Sequence, residues 1–263
     1  MKEQLYIYAD LPRAGFANML YPWARAIVLS REKNAKMLAP QWVKFKRIGP
    51  WLRREKYKRY YLNMITNNGY VKGFKRLFIL GFKSRFNENE IDGRKNGVCC
   101  VHGMGNYFGD FNKERDFVKA ELLKITNPMI LSGMKKLPSK FIGVHIRRGD
   151  FATIGFARDN DYYIRAISKA MEQRGMQGAP ILVFSDAFPA ELEYLKIFDN
   201  LTIMPKASAL QDLLSLASAT VLIGTNRSTF SEWALFLGGM RSYWEEDIED
   251  TAPDKNIFDY DTV

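Results

Sequence analysis

Three apolar runs that end abruptly in polar residues constrain this chain more than anything else in it. FIGVHIRRGDF (141–151) passes from apolar and small residues into a histidine, two adjacent arginines and an aspartate. PILVFSD (180–186) ends in Ser-Asp, and TVLIGTN (220–226) ends in Thr-Asn. A short continuous apolar run suits a strand covered on both faces, as in a parallel sheet. Helical spacing fills the gaps, over 160–174, 190–198, 208–219 and 228–237, with a further strand-like run, LTIMP, at 201–205. Such strand–helix alternation predicts a parallel α/β sheet. Ligands of these sheets collect at the C-terminal strand ends, so the three polar endings line one crevice.

The first half has the same character. LYIYAD (5–10) reads as a strand, Leu11 to Asn18 as a loop, and Met19 to Lys33 as a helix. Leu20, Trp23, Ala24, Ile27 and Val28 share one face of that helix, and Pro22 falls in its first turn, where proline is tolerated. Residues 34–39 lead into a second strand, VCCVHGM (98–104) is β-like, and Asn112 is placed to cap a helix running to Lys124. The Pro- and Gly-containing stretch 126–140 marks a boundary, giving domains 1–130 and 131–263. The end of the chain, 243–263, is acidic and irregular. At 263 residues and 47% hydrophobic, the chain can fill two cores.

Several classes of function are excluded or weakened. Cys99 and Cys100 are adjacent, which is neither a disulfide framework nor a metal-ligand spacing, so burial as small hydrophobes is expected. With only His102 and His145, no His-rich metal site can form. There is no Walker sequence, and Gly103-x-Gly105 lacks the spacing of a dinucleotide loop. The N-terminus has no long apolar stretch of the signal-peptide kind, and no run of about 18 apolar residues occurs. A cytoplasmic protein, soluble or peripheral on an inner membrane, is expected.

The strand endings carry the chemistry. Arg147 and Arg148 repel each other unless something anionic neutralises them. Phosphate matches the guanidinium fork, and pairing with Asp150 is the structural alternative. Asp186 either caps the following helix or accepts the two in-plane donors of a guanine. Ser228 and Thr229 open a helix: they are an ordinary cap, or its amides bind phosphate. Asp159-Asn160-Asp161 resembles a metal-binding Asp-x-Asp but also suits an acidic turn before a helix.

The net charge is +10, and it is concentrated. Residues 44–85 carry thirteen Lys or Arg against one acid, Glu55, which leaves the rest of the chain nearly neutral. Aromatics are interleaved, and Tyr70, Phe74, Phe78 and Phe82 recur every four residues beside Lys72, Lys75, Arg76 and Lys83. This suits an interfacial helix on anionic lipid, or a core-packing helix with solvated lysines. Nucleic acid is a further option for a basic patch, but no recognised nucleic-acid motif accompanies this one, and none is expected as a partner.

HIRRGDF resembles the His-x-Arg-Arg-x-Asp-aromatic motif of the α-1,2/α-1,6/O-fucosyltransferase superfamily, and the chain is most similar to the α-1,2-fucosyltransferases, glycosyltransferase family 11. Gly15-Phe16-Ala17-Asn18-Met19 resembles the family's Gly-Leu-Gly-Asn-Gln loop, and Gly105-Asn106-Tyr107-Phe108 its Gly-Tyr-Phe-Gln segment. Phe184-Ser185-Asp186 matches its Phe-Ser-Asp, and Thr225 to Trp233 resembles its Ser-Asn-Ser-Ser-Phe-Ser-Trp-Trp run. The order and spacing hold over residues 5–240. Departures fall in the first loop: Arg13-Ala14 replaces a glycine pair, Ala17 a glycine and Met19 a glutamine.

The resemblance implies a GT-B-like α/β architecture of two Rossmann-type domains with mainly parallel sheets. It implies an inverting, metal-independent fucosyltransferase that moves L-fucose from GDP-fucose to a hydroxyl of a glycan, polysaccharide precursor or lipid-linked oligosaccharide, in α-1,2 linkage. GDP-fucose is then a donor substrate, with no cofactor or metal. Arg147 would bind the β-phosphate, His145 and Asp186 the guanosine, Ser228, Thr229 and Phe230 the phosphates, and Asn18 the donor or acceptor. Arg148 would assist Arg147 in stabilising the leaving diphosphate. A base must take the acceptor proton; Asp10, at the end of the first strand, and Asp150 are the candidates. The alternatives are a transferase using another nucleotide sugar, or a protein that binds nucleic acid or an anionic surface.

Overall fold

The computed structural model describes residues 3–42, 63–149, 159–173 and 175–244. The chain divides between Leu131 and Ser132 into two compact units, each built on a parallel sheet.

In the first unit β1 (Leu5–Asp10) leads to α1 (Phe16–Glu32) and β2 (Lys36–Leu38). There follow α2 (Gly73–Phe82), β3 (Arg85–Asn87), β4 (Gly97–His102), α3 (Arg115–Ile125) and α4 (Pro128–Met134), the last crossing the boundary between the units. The strand order is β2-β1-β4-β3, every pair parallel. The chain leaves β1 toward one side and returns on the other, so the switch point lies between β1 and β4. The register sets Asp10 opposite His102 there. α1 forms because Phe16, Leu20, Trp23, Ala24 and Ile27 recur at helical spacing and are all buried.

Two expected features differ. α1 starts at Phe16, three residues earlier than the spacing of polar residues suggests, with Gly15 at its N-cap. Pro22 therefore lies within the helix, beyond its first turn. Asn112 does not cap a helix; it opens a 3-10 turn to Glu114, and α3 begins at Arg115 with no side-chain cap. Phe108 and Phe111 are drawn into the core against Tyr21, and the chain tightens into successive 3-10 turns to place them. Residues 43–62, most of the basic segment, lie outside the described residues, as do Asp150 and 245–263.

The second unit holds β5 (Ile142–Ile146), α5 (Asn160–Gln173), β6 (Ile181–Ser185) and a 3-10 helix over Pro189–Ile197, where an α-helix was expected. β7 (Leu201–Ile203), α6 (Ala209–Leu216), β8 (Val221–Ile223), α7 (Thr229–Gly238) and β9 (Arg241–Tyr243) follow, the last strand not being apparent from sequence. The order is β7-β6-β5-β8-β9, all parallel, with the switch point between β5 and β8. β5 is buried along its whole length. Tyr162, Tyr163, Ala166, Ile167 and Ala170 of α5 share its core with Ile142, Val144 and Ile146. Gly143 permits close packing elsewhere around β5: a Cβ there would stand 2.8 Å from the Ala219 methyl and 3.3 Å from Leu216 Cδ2.

Gly143→Ala is therefore expected to lower unfolding free energy by about 1–3 kcal/mol through overpacking. Urea denaturation checks it; an unchanged midpoint would mean that this packing yields freely.

Candidate nucleotide-binding site

The ends of β5, β6 and β8 meet at the switch point of the second unit, and one hydroxyl ties two of them together. Thr225 Oγ1 donates to the carbonyl of His145 at 2.7 Å. It accepts from the Arg147 amide at 3.2 Å and from the Tyr163 hydroxyl at 2.9 Å. This saturates the hydroxyl and fixes the backbone at 145–147, where β5 ends and its charged loop begins.

His145 is buried, with Nδ1 2.7 Å from Ser231 Oγ and its ring 5.0 Å from that of Phe230. Ser231 Oγ also accepts from the Thr225 amide at 3.1 Å. The assignment that uses every group has Ser231 donating to Nδ1, which leaves His145 neutral with its proton on Nε2. Burial, and then the neighbouring Arg147 charge, lowers the His145 pKa to about 3.

Arg147 and Asp186 form the charged centre: Nη1 lies 2.6 Å from Asp186 Oδ2, while Asp186 Oδ1 accepts from the Arg148 amide at 2.7 Å. Both carboxylate oxygens thus face the β5 loop. Gly149 matters here, since a Cβ would stand 2.6 Å from Asp186 Oδ2. Asp186 does not cap the following helix; Phe188 takes the cap position, its amide bonded to Glu191. Ser185 holds the strand end, donating to the Ile146 carbonyl at 2.7 Å and accepting from the Ala187 amide.

The adjacent arginines part company. Arg148 turns to Asn160 Oδ1 and lies over the Tyr163 ring, 5.9 Å from its centroid. Asp159, next to Asn160, accepts from the Asp161 amide at the start of α5, as an acidic capping turn does. Among the described residues no group of three His, Cys, Asp or Glu is placed to hold a metal ion.

α7 points its N-terminus at the same place. Arg227, just before it, has φ +61°, a left-handed conformation unusual outside glycine. Ser228 sits buried at the cap position without a side-chain cap bond. It is therefore not an ordinary N-cap. Thr229 and Phe230 begin a ten-residue helix whose dipole favours an anion. The fold thus brings together His145, Arg147, Asp186, Ser228, Thr229 and Phe230, with Arg148 at the margin.

The other two described candidates, Asp10 and Asn18, belong to the first unit. Asp10 Oδ2 lies 3.5 Å from His102 Nδ1, both side chains about half exposed. Asn18 occupies the first turn of α1, directly after the β1 loop. Arg25 holds the loop after β4 by donating to the carbonyls of His102 and Gly103, and it pairs with Glu88 and Asp110. Gly105 (φ +61°) has no room for a side chain, since a Cβ would strike Asp110 and Arg25. Cys99 and Cys100 are buried free thiols, Cys99 pushed up to about 12 by that burial.

Ser231, Tyr163 and His102 had no place in the sequence-derived site, and Thr225 stood there only as one of the polar strand endings, with no bonding role assigned. Ser231 and Tyr163 read as ordinary helix residues, and His102 gains meaning only through its register with Asp10.

One buried and one half-buried group give opposite pH dependences. Below about 6.5 the unfolded chain protonates His145, and the folded chain does not until about 3. Acidification across that window therefore costs about 1.4 kcal/mol per pH unit. Asp212, in the first turn of α6, is raised by desolvation from 3.8 to about 7, so its contribution grows as pH falls from 7 to 3.8. The two oppose each other in wild type. Asp212→Asn removes one and should be more stable than wild type at pH 8. It should then lose stability about 1.4 kcal/mol per unit more steeply than wild type between roughly pH 6.5 and 4. Denaturation across pH tests this; parallel curves would contradict a desolvated, proton-holding Asp212.

A sequence profile of glycosyl transferase family 11 matches residues 100–245, more than half of the chain. No curated protein matches. Among solved structures, the fucosyltransferase NodZ from Bradyrhizobium is 15% identical, with TM-score 0.53, covering 89% of this chain and 92% of its own. POFUT1 without ligand is 12% identical, with TM-score 0.57, over 93% and 98%. POFUT1 in complex with GDP-fucose is 13% identical, with TM-score 0.53, over 92% and 97%. These likenesses are of fold: two Rossmann-type units with parallel sheets, the GT-B-like α/β class. The profile covers the end of β4, the β5 loop with its arginine pair, the Asp186 turn and the strained entry to α7, and on that match the chain belongs to glycosyl transferase family 11.

Proposed function

We propose that the chain transfers L-fucose from GDP-β-L-fucose to a sugar hydroxyl of a glycan or lipid-linked oligosaccharide, with inversion and in α-1,2 linkage. The observation that carries this reading is the convergence of Arg147, Asp186, His145 and the α7 N-terminus at one switch point. That set suits a guanosine diphosphate: a carboxylate for the guanine donors, a neutral imidazole donor beside it, and a guanidinium and helix amides for the diphosphate. Family membership and a related fold that holds GDP-fucose support the same donor.

In this reading the acceptor oxygen attacks the anomeric carbon as the bond to the β-phosphate oxygen breaks. The electron pair leaves with the diphosphate, and the anomeric carbon passes through an oxocarbenium-like state. Arg147 and the amides of Thr229 and Phe230 stabilise the growing negative charge; a phosphate displaces Asp186 as partner of Arg147 and frees its carboxylate for the base. Arg148 stiffens the loop through Asn160 and Tyr163. A carboxylate takes the acceptor proton; Asp10, with His102 as its neighbour, and Asp150 are the candidates. Asn18 contacts donor or acceptor. This chemistry asks for no metal, so EDTA should leave it unchanged.

Chromatographic measurement of GDP released from GDP-fucose, with and without a panel of sugar acceptors, tests the proposal. Arg147→Ala should lower turnover about 10²–10³-fold, the usual cost of losing one fixed donor to the developing charge. Asp10→Asn should lose transfer while still binding GDP. Full transfer by Arg147→Ala would remove the assigned phosphate role.

A further inference from the structure

We propose that the outward face of α2 is a docking surface for an anionic lipid bilayer. α2 rests on the first sheet through Ile79, which packs with Tyr6, Leu38, Val98 and Cys100, and through the partly buried Leu80. Ile79 is its one buried residue. On the opposite side Phe74, Leu77, Phe78 and Phe82 are 91%, 57%, 62% and 79% exposed. Positions 74, 78 and 82 follow one another at successive turns, with 77 beside them, so the four form one stripe. The rings of Phe78 and Phe82 lie against each other, tilted by 35° with centroids 4.7 Å apart. A stripe of this kind is unfavourable against water, and soluble surfaces seldom keep one without a partner.

The charges around the stripe choose the partner. Lys72, Lys75 and Arg85 are exposed and Lys83 is partly so. Among 72–85 there is no acid at all. An aromatic stripe edged by lysines matches acyl chains bordered by anionic headgroups. A second copy suits it poorly, because a two-fold contact would set the lysine edge of one copy against the same edge of the other. The inference is independent of the sugar-transfer reading.

Co-sedimentation of the full chain with vesicles tests it, comparing phosphatidylglycerol–phosphatidylcholine mixtures with phosphatidylcholine alone. Wild type should bind the anionic vesicles at least ~10-fold more tightly than neutral ones. Phe74→Ser/Phe78→Ser and Lys72→Glu/Lys75→Glu should each weaken that binding at least ~10-fold, with unchanged melting temperature, since these side chains are exposed. Three results would overturn the proposal. One is no preference for anionic lipid. Another is wild-type binding by the Phe74→Ser/Phe78→Ser variant, which would assign attraction to the basic segment alone. The third is a wild-type dimer in sedimentation that the same variant converts to monomer.

Discussion

A strand buried on both faces cannot carry guanidinium groups, so β5 has to end where Arg147 and Arg148 begin. That constraint organises the second unit. Ile142 to Ile146 fill the core, and the next residues emerge at the C-terminal edge of the sheet, beside the switch point. Once there, the arginines need anionic or polar partners, and the ends of β6 and α5 supply them: Asp186 for Arg147, Asn160 and the Tyr163 ring for Arg148. The Thr225 hydroxyl, with all its bonding capacity used, locks the β8 end to the β5 end. A site built this way is organised before any ligand arrives, which is what electrostatic stabilisation of a leaving group requires.

The first unit repeats the architecture with different chemistry. Its switch point presents a carboxylate and an imidazole, Asp10 and His102. Arg25 is spent on structure, bridging Glu88, Asp110 and two loop carbonyls, so the loop after β4 is held by charge where the β5 loop presents it.

The parallel sheets and the polar strand endings were legible in the sequence because an apolar run that stops at a charge has few places to lie. His145, Arg147 and Asp186 stand out for that reason, whereas Phe230 enters only through the family resemblance. Ser231 was not, since a serine one turn into an apolar helix looks like any other until His145 is seen beside it. His102 needed the β1–β4 register. Spacing alone also left α2 undecided: every fourth residue aromatic describes a face, and only packing says whether that face meets the core or the solvent. Here Ile79 meets the core and the phenylalanines do not. The helix starts near Phe16 and Arg115 were misplaced because buried aromatics, more than capping residues, decide where those turns tighten.

The central claim is that the end of the β5–β6–β8 crevice is a guanosine diphosphate site. Calorimetric titration of the chain with GDP and with UDP, in EDTA, tests it most directly. Saturable binding of GDP with UDP far weaker is the predicted result, because the diphosphates are identical and the proposed Asp186 contact requires the guanine donors. Equal binding of the two nucleotides would confine recognition to the phosphates, and absence of GDP binding would contradict the account.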